Sequence, residues 1–211
     1  MKAFKLTVAI LLAVAAIAYA AKVPTVFCEG LEGFAKPAVT PEVTVIDDVY
    51  YVDFGEQLGP KGSLQFTVVD GENIVLSVGA VKAISQKGGK VFGTLDTIIS
   101  TDTDLQLKLK GITVGTVIAA GVKNAQVAAV TGGVAAGNFA KGAAIKVVGI
   151  FGGELSGIVK SVACASFDDT DATEVTTPKK LALKAKANLG GVVTLPAGIV
   201  YTAKNVTVVN E

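Results

Sequence analysis

The stretch LQLKLKGITVGTVIAAGVKNAQVAAVTGGVAAGNFAKGAAIKVVGIFGG runs from Leu105 to Gly153, and its only charged residues are Lys108, Lys110, Lys123, Lys141 and Lys146. The rest is mostly Val, Ala, Gly, Ile, Leu and Thr. That is too apolar for a solvated loop and too often broken by glycine for a membrane helix. It must pack against its own core or another copy. Leu105, Leu107 and Leu109 alternate with Gln106, Lys108 and Lys110, which predicts a half-buried strand. From Thr116 to Ala144 the alanines alone would favour helix. Gly115, Gly121, Gly132, Gly133, Gly137 and Gly142 leave no helical window of ordinary length, and the β-branched neighbours favour short strands with small inward residues. One short helix fits as well.

Moving outward, Leu64, Phe66 and Val68 alternate with polar residues, and Asp70-Gly71-Glu72-Asn73 leads into Ile74 to Val81, the pattern of a hairpin. Gly88-Gly89 reads as a second turn. Ile145 to Phe151 and Leu155 to Ala165 read as a hairpin about Gly152-Gly153. Val43 to Phe54 changes phase at Asp47-Asp48, which predicts a bulge or short turn. Leu181 to Leu189 is a second amphipathic strand, Leu195-Pro196-Ala197-Gly198 a turn, and Ile199 to Val209 a final strand. Glycine pairs recur at Gly88, Gly132 and Gly152, but at unequal spacings of 44 and 20 residues. A solenoid repeat calls for a fixed period, so hairpin turns are the expected account. The predicted fold is all-β, a two-sheet, jelly-roll-like sandwich of roughly eight to twelve strands with an extended N-terminal arm.

The N-terminus carries Lys2 and Lys5, an apolar run from Leu6 to Ala18, and Ala18-Tyr19-Ala20, the pattern of a secretory signal cleaved after Ala20. The expected organisation is a signal peptide at 1–20, an extended arm at 21–42 and one sandwich domain at 43–211. The protein is expected to be secreted, outside the cell or on its surface, with no membrane contact after cleavage. Thr25-Val26-Phe27 before Cys28 does not resemble a lipid-anchoring signal. Removing the signal leaves seventeen lysines against eighteen acids. A balance so near neutral predicts no nucleic-acid partner and no anionic membrane surface.

Every basic residue is lysine; the chain has no arginine, histidine or tryptophan. Those absences remove the usual phosphate forks and general bases, and no enzyme activity is expected. No phosphate loop or Gly-x-Gly-x-x-Gly fingerprint is present. In an exported chain, Cys28 and Cys164 are expected to pair as a disulfide, with two buried thiols or bonds between chains as the alternatives. Asp168, Asp169, Asp171 and Glu174, joined by Asp102 and Asp104, offer hard oxygen ligands suited to calcium, or else a solvated acidic loop. No other cofactor is expected, and no small-molecule ligand is indicated. Asn205-Val206-Thr207 is a glycosylation sequon.

Pro24, Pro37 and Pro41 keep the arm extended, and Val23, Thr25 and Phe27 alternate along it. Lys22, Val23, Thr25, Val26 and Phe27 are therefore either a first edge strand or a segment donated to a neighbour's sheet. The Ala18-Tyr19-Ala20 signal end, the arm at Val23 to Phe27 and the β-rich body resemble exported filament subunits such as archaeal cannula proteins and TasA-like matrix fibres. That resemblance implies a secreted structural subunit that assembles with copies of itself into a filament, tube or surface layer. A monomeric extracellular binding or adhesion domain is the alternative.

Overall fold

The computed structural model describes residues 24–68, 73–88, 93–137 and 141–211. The signal sequence, Lys22, Val23, Asp70-Gly71-Glu72 and Gly89 lie outside these. In chain order the strands are β1 (Thr25–Cys28), β2 (Leu31–Lys36), β3 (Glu42–Ile46), β4 (Val49–Asp53), β5 (Ser63–Val68), β6 (Ile74–Val78) and β7 (Ala83–Gln86). β8 (Gly93–Ser100), β9 (Leu105–Lys108), β10 (Ile112–Ala119), β11 (Val122–Ala125), β12 (Ala129–Ala136) and β13 (Ala143–Lys146) follow. The last are β14 (Ile150–Cys164), β15 (Ser166–Asp171), β16 (Val175–Thr176), β17 (Leu181–Ala185), β18 (Val192–Leu195), β19 (Tyr201–Lys204) and β20 (Thr207–Asn210). The described residues contain no helix.

The sandwich expectation is overturned by the pairing: these strands wind into a β-solenoid of about seven turns. Each turn lays one strand on each of two faces, and from β4 onward the strands pair in parallel with those one turn away. One face stacks β5, β7, β9 and β11. It continues through the Ala125–Val147 bridge to β13, residues 159–164 of β14, β17 and β19. The other stacks β4, β6, β8, β10, β12, residues 150–157 of β14, β15, β18 and β20. Antiparallel pairing is confined to the N-terminal end, where β1, β2 and β5 join in order and β3 folds back on β4.

Two expected hairpins are absent. β5 and β6 lie on opposite faces, and β14 runs straight through Gly152-Gly153 as one strand of 15 residues. The short turn expected at Asp47-Asp48 is present, with both residues at positive φ between β3 and β4. The C-terminal strand expected at Ile199 to Val209 is divided at Asn205 into β19 and β20, one on each face.

The core consists of columns that run along the solenoid axis. Val52, Leu76, Ile98, Val117, Val134 and Leu155 occupy one register position on six successive strands, all buried. Leu95, Val114, Val130, Phe151 and Phe167 form a second column, ending in an edge-to-face ring pair at 5.9 Å. Each such side chain contributes about 1.5–3 kcal/mol on burial. Small residues fill part of the interior as well, with Ala119, Ala125, Ala136 and Ala143 buried. The apolar excess of the sequence is therefore largely absorbed by one continuous interior.

The glycines at 132–133 and 152–153 mark neighbouring turns. Gly133 is in register with Glu154, and a side chain on Gly153 (φ +82°) would meet the backbone of Thr131 and Gly132 at 2.5 Å. The spacing of 20 between these pairs is one residue short of the 21-residue turn that sets β12 against β14. The period is not fixed: register partners lie as close as Val192 and Thr207 or as far apart as Tyr50 and Ile74, because the corners take up the difference.

Candidate functional surfaces

The faces carry opposite charges. On the first face, six successive strands each present one lysine: Lys108, Lys123, Lys146, Lys160, Lys184 and Lys204. β9, β11, β13, residues 159–164, β17 and β19 contain no acid at all. On the second face the strands from β4 to β20 contain no lysine, and their acids are Asp53, Asp96, Glu154, Asp168, Asp169 and Asp171, all exposed. Lys146, Ala163, Lys184 and Lys204 are neighbours in one register column. Among the described residues the one ion pair is Lys123 with Asp104, at 3.8 Å and well exposed. Net charge near zero gave no sign of this segregation.

Lysines also line the clefts on that face. Lys141, Lys160, Lys179, Lys180 and Lys184 surround one of about 790 Å³, with Pro178 and Ala182. A second, of about 450 Å³, is bordered by Lys146, Lys184, Lys186 and Lys204, with Cys164 among its lining residues.

The two ends differ. At the C-terminal end β19 pairs only with β17 and β20 only with β18, so each keeps an unpaired edge among the described residues. Ile199, Tyr201, Val206 and Val208, which continue the core there, are only half-buried. At the N-terminal end β1 and β3 are the edges left unpaired among the described residues. All five residues of β3 are exposed, Val45 and Ile46 at 54% each.

The expected disulfide is not formed: Cys28 and Cys164 are both free and buried. Cys28 lies in β1 at the N-terminal end, and Cys164 in β14, seven strand-to-strand steps along the first face. At about 4.8 Å per step they are roughly 34 Å apart, far beyond disulfide reach. Burial pushes the Cys164 thiol up to about 12. Burial also raises Cys28, against a hydrogen bond with the backbone of Leu31 that lowers it.

The arm residues Thr25, Val26 and Phe27 form β1 on β2 of their own chain, and Phe27 packs edge-on against Phe54 at 5.4 Å. Lys22 and Val23 lie outside the described residues. The acids considered for calcium are not brought together. Asp102 and Asp104 occupy the corner after β8, several turns from Asp168, Asp169 and Asp171 on β15 and from Glu174 beyond it, and the described residues hold no cluster of three metal-ligating side chains. Several are already engaged with backbone N–H groups. Asp102 accepts from Asp104, Asp168 from Asp169, Asp169 from Val192 and Asp171 from Thr173, at 2.7–3.1 Å. Asn205 spends its amide inside the fold, donating to the carbonyls of Ala185 (3.1 Å) and Lys186 (3.0 Å) in the turn above.

Comparison with protein-family models, curated proteins and solved structures returns no match. Sequence reasoning missed the lysine face. Its signal was in the segments LQLK, AAIK, LALKA and YTAK, where lysine is the only charge, but it became legible only once these segments were known to stack.

Proposed function

We infer that this protein is a secreted structural subunit that joins copies of itself end to end into a filament, tube or layer. The open C-terminal turn carries this reading. Among the described residues β19 and β20 have unpaired backbone edges, one on each face, over a core column that is half-covered at Tyr201, Val206 and Val208. Edges of this kind template pairing with another chain. The edges of β1 and β3 at the opposite end offer a surface for a second copy, so the contact is heterologous and does not close on itself. The lack of histidine and arginine in the sequence fits a structural role. Because Thr25 to Phe27 are occupied within their own chain, stacking of edges replaces donation of those residues as the joining step.

Negative-stain microscopy and sizing of the purified protein test this. Val43→Lys with Val45→Lys places two charges on the exposed β3 edge and should abolish polymers while leaving circular dichroism and melting temperature unchanged. A wild-type protein that stays monomeric at all concentrations, or polymers indifferent to the double substitution, would sink the proposal.

A further inference from the structure

We propose that the lysine face is a binding surface for an extended acidic polysaccharide, a linear glycan with one carboxylate per sugar. Each of six successive turns, from β9 to β19, contributes one lysine. The result is a band with about one positive charge per 4.8 Å of axis. Lys184 and Lys204 are direct register neighbours. Like charges set side by side on a sheet repel, and no carboxylate on these strands offsets them. A bound polyanion would.

The spacing and composition select the polymer. A pyranose unit in an extended chain advances by roughly one strand spacing of this solenoid, so its carboxylates repeat along the axis as the lysines do. The flexible lysine stems span lateral offsets such as that of Lys160, three residues from the column of Lys146, Lys184 and Lys204. A strand of duplex DNA carries a charge every 3.4 Å or so, out of step with the turns, and single strands are usually held by aromatic stacking. Among the strands of the band, β19 alone holds an aromatic residue, Tyr201, and that ring packs against the core. Lysine also fits the task, since it supplies a flexible point charge and needs no fixed fork geometry. The acidic face of a second copy fits less well. Its carboxylates leave β10 and β12 empty, so it cannot supply a partner at every turn. The cleft at Lys141, Lys160, Lys179, Lys180 and Lys184 lies on the same band and could admit a sugar ring beside the axis.

The proposal is independent of end-to-end assembly, because the band lies on the side of the solenoid. Its test is titration of the protein with polygalacturonate at low and physiological salt, beside neutral dextran and single-stranded DNA of matched charge. Binding should be seen with polygalacturonate, fall steeply with salt and be absent with dextran. Lys184→Gln with Lys204→Gln should weaken it roughly 2- to 30-fold, from the usual worth of two exposed ion pairs, without changing the melting temperature. The control Lys61→Gln, in the exposed loop before β5, should leave it unchanged. The proposal is overturned by any of three results: no binding at low salt, tighter binding to DNA, or equal loss in the double variant and the control. A double variant that alters only self-association would assign the band to a second copy and overturn it too.

Discussion

Gly153→Ala and Gly198→Ala form a matched pair that tests the solenoid directly. Both glycines have nearly the same left-handed backbone, φ +82° and +85°, but different surroundings. Around Gly198 nothing lies within 4 Å of a new methyl group, so the substitution costs only the conformational penalty, about 1–2 kcal/mol. At Gly153 the methyl would sit 2.5 Å from the Thr131 carbonyl oxygen and the Gly132 carbonyl carbon, backbone atoms of the adjacent turn. Relieving that contact needs the two turns to part by about 1 Å, and overpacking of this kind adds roughly 1–3 kcal/mol. Gly153→Ala should therefore cost about 2–5 kcal/mol in total. The assay is urea unfolding followed by circular dichroism, with the shift in midpoint compared between variants of unchanged m-value. In a hairpin about Gly152-Gly153 the methyl would point into solvent and the two variants would be equally destabilised. Costs agreeing within about 0.5 kcal/mol, the usual size of a neutral surface change, would refute the close stacking of β12 on β14.

Further outcomes follow from the thiols and the last turn. Cys164 should resist alkylation at pH 8 in the native protein and react once urea is added, and non-reducing electrophoresis with thiol titration should find no Cys28–Cys164 bond. Because burial lifts the Cys164 thiol from its ordinary value of 9.0 to about 12, the native state holds that proton after the unfolded chain has released it. Its contribution is thus fully present below about pH 9 and lost as pH rises towards 12. Cys164→Ala should flatten the fall in the urea midpoint above pH 9, and an unchanged slope would contradict this. Asn205→Ala removes two hydrogen bonds and places alanine at φ +54°, a loss of roughly 2–4 kcal/mol. Faster hydrogen exchange should appear at 181–211 but not at 93–119. Uniform acceleration along the chain would argue against turns that contact only their neighbours.

Strand positions were largely legible in the sequence, whereas the way they join was not. Leu105 to Lys108 and Leu181 to Ala185 are strands because their leucines alternate with polar residues, as the pattern predicts. Alternation usually marks an antiparallel sheet with one wet face, since parallel strands tend to be covered on both sides. A solenoid breaks that association: its parallel strands have an inner and an outer face, so β9 reads like half of a hairpin. The repeat was hidden for a related reason. Only inward residues such as Leu76, Ile98 and Val117 must keep register, and the corners between them vary in length. Gly152-Gly153 carried a genuine turn-to-turn signal, but glycine in mid-strand and glycine in a turn are indistinguishable until the neighbouring backbone is known. The lysine face was obscured by summing charge over a chain whose two faces cancel.

The unequal turn lengths have a consequence for how this chain can change. Register partners separated by 15 residues at one end and 24 at the other meet at the same strand spacing, so the corners act as margins whose text can be lengthened without moving a line of the page. A loop inserted at Asn188–Gly190 or after Phe54 would leave the axial columns untouched. One residue added within β10 or β12 would instead turn every following side chain in that strand inside out. Tolerance and intolerance therefore alternate along this sequence about every ten residues, and a scan of single insertions would trace the solenoid's outline.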